Sequence, residues 1–442
     1  GQRRAQTVAS GDFSVNISPQ AYRYLVPALL PAASLYLLWR ARKQPSYLKN
    51  WGERFAWSDY PKPREGHPVV WVHAVSVGET NATRPLVRSI LDTWPECDVL
   101  LTHMTPTGRE AGQKIIAMAP ERIRQCFLPY DAVYAVRKFL RQTQPVMGLL
   151  METEVWPTVL EEAHAAGIPM ALVNARLSEK SFNQAMRVPD LMKKAMGRFS
   201  VVCAQTESDA KRLRAMGTVE PVVTGSLKFD IQAPEAALEK ARQWKCSITK
   251  PVVMFASTRD GEEALIIEAL KNTVKPGVLY LLVPRHPQRF GEVEELLKKS
   301  GLCYQKRSDL KGPQDILSNT QVILGDSMGE MFFYCALSDI TLMGGSFKPF
   351  GCQNVIEPAS VGVPVIVGSS TFNFSKVVEN GIGAGAITQV DNPLEGLKLA
   401  HQWLENPQAL SQLKENALAF SKAYVGATAR TMTVLEALWP KK

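Results

Sequence analysis

Two stretches run in step along the chain: PVVWVHAVSVGE at 68–79 and PVVMFASTRDGE at 251–262. Each opens with an apolar run of strand length, passes through a polar turn and reaches Gly-Glu at the head of a helical pattern. After the first, apolar runs recur at 99–102, 146–151, 170–174, 201–205 and 222–224. After the second they recur at 279–284, 321–325, 340–343 and 364–368. Near-continuous apolar strands alternating with helices specify parallel sheets covered on both faces. The chain therefore reads as α/β, with two Rossmann-like domains meeting near 230–250, where Ile231-Gln-Ala-Pro-Glu235 has the composition of a connection. Ligands of such sheets bind beyond the carboxyl ends of the strands, so the loops are expected to face a central cleft.

The 442 residues are too many for one ordinary core, which agrees with two domains. With 45% hydrophobic and 21% charged residues the chain is globular, not disordered. Its net charge of +9 suits an anionic partner: nucleic acid, acidic lipid or a phosphorylated substrate. No zinc-type Cys/His spacing and no RNA-binding aromatic signature is present, so nucleic acid is not expected as a partner. Seven scattered cysteines, several within apolar runs, fit a reducing compartment.

One segment departs from this soluble pattern. Residues 22–39 are apolar apart from Arg23, carry aromatics at both ends and run directly into Arg40-Ala-Arg-Lys43. Aromatic edges and a basic flank mark a membrane-associated helix with the rest of the protein on the cytoplasmic side. The stretch falls a little short of the ~20 residues of a span, and Pro27 and Pro31 weaken it further. The alternative is an amphipathic helix packed on the protein. The expected organisation is thus 1–20, a polar extension in part vector-derived; 21–43, a membrane anchor or monotopic helix; 44–235, a first Rossmann-like domain; and 236–442, a second.

Several strand-end loops carry chemistry. Ser76-Val-Gly-Glu79 opens a helix where N–H groups would face an anion, and Met151-Glu-Thr-Glu-Val-Trp-Pro157 puts two carboxylates at the mouth of a sheet. Lys228 lies just past the run at 222–224, and Arg285 and His286 stand between Pro284 and Pro287, which fix their turn. Met328-Gly-Glu330 follows a strand and starts a helix, and Gly344-Gly-Ser346 would let backbone N–H groups approach an anion, with Asn354 and Glu357 on the helix start beyond it. Each loop also has a plain reading as a turn or helix cap. No P-loop, Asp-x-Asp pair or H-x-x-x-H is present, so metal ligands are not expected.

In this order the motifs resemble the Kdo transferases, membrane-associated enzymes that add 3-deoxy-D-manno-octulosonic acid to a lipid A precursor. The resemblance covers nearly the whole chain after residue 20 and rests on Gly52-Glu-Arg-Phe55, Val72-His-Ala-Val-Ser-Val-Gly-Glu79, Thr105-Pro-Thr-Gly108, Glu152-Thr-Glu-Val-Trp-Pro157, Asn174-Ala-Arg-Leu-Ser178, Gly225-Ser-Leu-Lys-Phe-Asp230, Val283-Pro-Arg-His-Pro287, Met328-Gly-Glu330 and Gly344-Gly-Ser346. It implies a GT-B fold, a first domain for the lipid acceptor and a second for the donor CMP-Kdo. It also implies inversion at the anomeric carbon, no cofactor or required metal, and a place on the cytoplasmic side of the bacterial inner membrane. By the same resemblance Glu53 is the general base, Glu152 and Lys228 stabilise the transition state, and Pro284, Arg285, Met328, Gly329, Glu330, Asn354, Val355, Ile356 and Glu357 hold CMP. Where many members read Gly-Gly-His-Asn, this chain has Gly351-Cys-Gln-Asn354. Two other readings stay open: another GT-B enzyme acting on a UDP-sugar, transferase or epimerase, and a non-catalytic basic membrane adaptor.

Overall fold

The computed structural model describes residues 17–441. Most of the expected polar extension, 1–16, lies outside them, and its last residues already belong to a helix, with Ser18 capping Pro19–Ala41. That helix runs unbroken through Pro27 and Pro31, and it is the one helix among the described residues long and apolar enough to cross a membrane.

The chain forms two compact units. In the first, the strands are β1 (Val69–His73), β2 (Asp98–His103), β3 (Ile123–Phe127), β4 (Pro145–Met151), β5 (Met170–Ala175), β6 (Val201–Ala204) and β7 (Val222–Val223). They pair in the order β3-β2-β1-β4-β5-β6-β7, all parallel. Central β1 is buried on both faces. Trp71 joins Leu100, Phe139 and Leu150 on one side, while Val70 and Val72 join Ile90, Leu149 and Val173 on the other.

In the second unit the strands are β8 (Val252–Thr258), β9 (Leu279–Pro284), β10 (Tyr304–Lys306), β11 (Val322–Leu324), β12 (Ile340–Met343), β13 (Val365–Val367) and β14 (Ile387–Gln389). Their order is β10-β11-β9-β8-β12-β13-β14, again all parallel. Each sheet reverses its order beside its first strand, between β1 and β4 in one and between β8 and β12 in the other. Those reversals are where doubly wound sheets open for ligands.

The expected domain limits need one correction. The second unit is Ile231–Val425, not 236–442, because the segment from Gly426 onward returns to the first unit. The cause is local. The Asp230 carboxylate accepts from the backbone N–H of Gly426 at 2.9 Å and of Thr428 at 2.7 Å, and Arg430 Nε donates to Thr224 O at 2.9 Å. Ala427, Met432 and Leu435 then enter the first unit's core, and Trp439 stacks on Trp94 with ring centroids 4.3 Å apart.

Candidate active site

At the reversal in the first unit, Ser76 caps the helix Val77–Thr93 and Glu79 closes a capping box with it. Glu79 Oε2 accepts from the backbone N–H of Val75 at 2.7 Å and of Ser76 at 3.1 Å. Donors expected to face an anion therefore face the chain's own carboxylate. Across from this turn, Glu152 follows β4 with φ +59°, a left-handed backbone that a non-glycine residue keeps only where its surroundings enforce it. Its amide donates to Val173 O at 3.0 Å, tying the turn to β5. Glu154 accepts from Trp156 Nε1 at 3.0 Å, and Pro157 begins the next helix, as expected.

Two of these three acids are raised. Burial first, then the charge of Glu79, raise Glu152 above the usual carboxylate range, while Arg176 and Lys228 act against the rise. Burial and Glu79 push Glu154 up to about 7, opposed by the Trp156 hydrogen bond and reinforced by Glu152. Lys228 comes from beyond β7. Asn174 Oδ1 accepts from Leu227 N–H at 2.9 Å, and this bond sets the short turn Leu227–Phe229 on the end of β5. Burial and the neighbouring Arg176 lower the Lys228 pKa, and Glu152 opposes them. The structure thus unites Glu152 with Lys228. It adds Glu79, Glu154 and Arg176, which stand in quoted motifs but were assigned no role.

Glu53 has a different setting in the same unit. It lies in the short helix Trp51–Arg54, and its carboxylate accepts from both Arg109 terminal nitrogens, at 2.5 and 3.4 Å, and from Phe127 N–H at 2.8 Å. The guanidinium groups of Arg54 and Arg109 lie 4.0 and 4.9 Å from the centre of the Phe127 ring. Arg54 is buried and donates to Met104 O at 2.8 Å. Among the described residues, no hydrogen-bond or ion-pair partner of Glu53 belongs to the Glu79–Glu152–Glu154 group.

In the second unit, the expected nucleotide residues follow β9, β11 and β12. Pro284 ends β9, and the Arg285 amide donates to Thr258 O at 2.9 Å. The pKa of exposed His286 is lowered by what burial it has and by Arg259, Arg285 and Arg289. Arg289 is already held by Glu263 at 2.6 Å and Glu292 at 3.3 Å, which leaves Arg259 and Arg285 as the basic rim suited to an anion. Glu357, in the helix Ile356–Ser360, is raised by burial against the opposing charge of Arg285, so these two residues are brought together. Asn354 Oδ1 accepts from Ile356 N–H at 3.0 Å and shapes the turn before that helix. The Val355 and Ile356 side chains are fully buried, which leaves only their backbone for a ligand.

Met328 is exposed, and Gly329 has φ +76° with nothing within 4 Å of where a Cβ would stand. Glu330 accepts from Ser327 Oγ at 2.7 Å, Arg307 Nη2 at 3.1 Å and Lys240 Nζ at 3.2 Å. Burial alone would raise its pKa, but the bonds from Ser327 and Lys240 and the charge of Arg307 hold it below the usual range. This stretch therefore offers a ligand its Met328–Gly329 backbone, while the Glu330 carboxylate holds the loop.

The Gly344-Gly345 turn corrects an expectation. Backbone N–H groups do converge on an anion there, but the anion is Glu262. Its carboxylate accepts from Gly345 N–H at 2.7 Å, Phe347 N–H at 3.1 Å and Arg259 N–H at 2.7 Å. Only glycine fits at 344, where a Cβ would come within 2.3 Å of Ser257 O. Cys352, in the stretch that departs from the family's Gly-Gly-His-Asn, has φ +76° and donates its amide to Gly345 O at 2.9 Å. Among the described residues, no group of three or more His, Cys, Asp or Glu side chains is placed to hold a metal ion.

Known proteins are similar to this chain in sequence and in fold. Residues 49–231 match the family described as 3-deoxy-D-manno-octulosonic-acid transferase (kdotransferase). The 3-deoxy-D-manno-octulosonic acid transferase of Bordetella pertussis is 42% identical over 421 residues, covering 92% of this chain and 97% of that one. The protein of the same name from Haemophilus influenzae is 32% identical over 386 residues, 85% of this chain and 88% of its own. Among solved structures, the UDP-GlcNAc 2-epimerase of Neisseria meningitidis bound to UDP-GlcNAc superposes with a TM-score of 0.54 at 16% identity, covering 84% of this chain and 100% of that one. That likeness is one of fold alone, and the fold is GT-B-like. With a relative 42% identical across nearly its whole length, the chain belongs to the family of 3-deoxy-D-manno-octulosonic acid (Kdo) transferases, which are glycosyltransferases.

Proposed function

We propose that the protein moves Kdo from CMP-Kdo to a hydroxyl of a lipid A precursor, with inversion and without a metal, at the cytoplasmic face of a bacterial inner membrane. The observation that carries this reading is the group Glu79, Glu152, Glu154, Arg176 and Lys228 at the strand reversal of the first unit. It combines carboxylates able to take a proton with cations able to meet a sugar acid. The basic rim of Arg259 and Arg285 in the second unit would meet the phosphate of the leaving CMP, and Glu357 its ribose hydroxyls.

The base is where geometry and resemblance part. The resemblance points to Glu53, whose carboxylate already serves Arg109 and the Phe127 amide. Glu79 is better set for the task. Its Oε2 is fixed by two backbone donors, its Oε1 has no hydrogen-bond partner among the described residues, and its charge is felt by both Glu152 and Glu154. Glu152 and Lys228 keep the stabilising roles expected of them, with Arg176 beside them.

Donor and acceptor are tested together. The full chain is incubated with CMP-Kdo and a tetra-acylated lipid A precursor, and the lipid product is weighed by mass spectrometry. Addition of one or more Kdo masses is expected. CMP should also raise the unfolding temperature more than UDP does. Protection by UDP alone would favour a UDP-sugar enzyme instead.

A further inference from the structure

Along the helix Pro19–Ala41, Tyr22, Val26, Leu30, Leu37 and Ala41 are shielded, and most of the residues between them are exposed. Steps of four and seven make one stripe along the helix. The stripe is docked from end to end. Tyr22 donates to Asp131 Oδ2 at 2.6 Å, and Asp131 also accepts from the N–H groups of Thr158 and Val159, both at 2.9 Å. Val26 and Leu30 pack on the first unit's core, and Leu37 is enclosed with Tyr47 and Phe55. The opposite face is uncovered and apolar: Tyr24, Leu25, Leu29, Leu35, Tyr36 and Trp39. Trp57, stacked on Phe55, is exposed as well, and Arg40, Arg42 and Lys43 follow at the helix end.

We propose that this helix does not cross the membrane but lies in one leaflet, along the first unit, with its outer face in the headgroup and acyl boundary of an anionic bilayer. The inference deepens the membrane reading given under the proposed function and rests on it. A crossing helix would carry its start across ~30 Å of hydrocarbon. Here the start is hydrogen-bonded to Asp131 and the end is packed on Phe55, both in the same unit. Twenty-three residues extend about 34 Å, so the docked helix offers a long apolar edge with aromatic rings and a basic end, the composition of interfacial helices.

The test uses the full chain with the two exposed cysteines replaced, Cys246→Ser and Cys303→Ser, the other five being buried. Ser18→Cys, or Asp92→Cys as a control on the exposed face of the first unit, is then added, and the protein is bound to sealed vesicles of phosphatidylethanolamine and phosphatidylglycerol. A membrane-impermeant maleimide should label both positions equally, with no further labelling of Ser18→Cys after detergent. Protection of Ser18→Cys until detergent, with Asp92→Cys labelled throughout, would overturn the in-plane placement and leave the membrane reading standing. Failure of the full chain to bind these vesicles would overturn both. Leu35→Asp should weaken vesicle binding by about tenfold to a hundredfold without moving the unfolding temperature, whereas Leu37→Asp should lower that temperature. Unaltered vesicle binding by Leu35→Asp would remove the outer face from the contact.

Discussion

At the strand reversal of the first unit, Glu79 commits one oxygen to its own turn and faces two more acids across the gap to β4. At the corresponding reversal of the second unit, Glu262 accepts three backbone N–H groups, one from its own turn and two from the loop after β12. Both residues follow a glycine at the head of the first helix of their sheet. In the first unit the acid leaves a carboxylate cluster with a lysine beside it. In the second it stitches the gap shut, and the groups suited to a nucleotide stand on the neighbouring strand ends. One repeated turn thus separates chemistry from holding, according to whether its carboxylate reaches across the switch point.

Variants that swap or sever these carboxylates sharpen the contrast. Glu79→Gln keeps a side-chain acceptor for the capping box but cannot take a proton, so transfer should fall about 10²–10⁴-fold with little change in unfolding temperature. Glu53→Gln should do the reverse, with a rate loss under about tenfold and a lower unfolding temperature, because Arg109 loses its charged partner. Initial rates and thermal melts of the two proteins, side by side, decide which acid is the base. Next in size is Glu262→Ala. Three orphaned N–H groups, one buried and two partly so, should cost on the order of 3–5 kcal/mol, read by denaturant unfolding. Stability equal to that of the parent would mean the loop is not stitched.

Glu357→Ala should weaken CMP binding by about tenfold to a hundredfold, the worth of a charged hydrogen bond of roughly 1.5–3 kcal/mol, by calorimetry. The smallest effect is one of pH. Because Glu154 is raised from 4.5 to about 7 in the fold, it holds its proton more tightly there than in the unfolded chain. Its contribution to stability is present below the unfolded pKa and is lost as pH rises through about 7. Allowing for partial exposure, stability should decline by about 1–2 kcal/mol over that window, and Glu154→Gln should flatten the decline.

Central strands were legible in the sequence because they are apolar throughout. The strands that sequence reading missed, β3, β10 and β14, are all at sheet edges. Arg124 and Gln125 in β3, Tyr304-Gln-Lys306 in β10 and Thr388-Gln389 in β14 are partly or wholly exposed, so their pattern is that of loops. Pro27 and Pro31 weaken the segment as a span in the sequence, yet the helix runs through both, and both are exposed. At the site, the motifs were visible but their partners were not. Glycines at 344–345 announce a close approach to something negative, and only the fold reveals that it is Glu262, 82 positions before Gly344 in the sequence. Glu53 and Glu79 likewise sit in motifs of similar appearance, and only the placement of Arg109 separates them.

The division between the units is tested most directly by titrating CMP, in a calorimeter, into residues 231–425 expressed alone and into the whole chain. Every nucleotide residue assigned here lies in that continuous stretch, and the acids and Lys228 lie outside it. The expected result is a dissociation constant within about threefold of that of the whole chain, with Glu357→Ala weakening both alike. A folded 231–425 fragment that fails to bind CMP would contradict the account, as would binding to the whole chain that is lost with Glu152→Ala or Lys228→Ala.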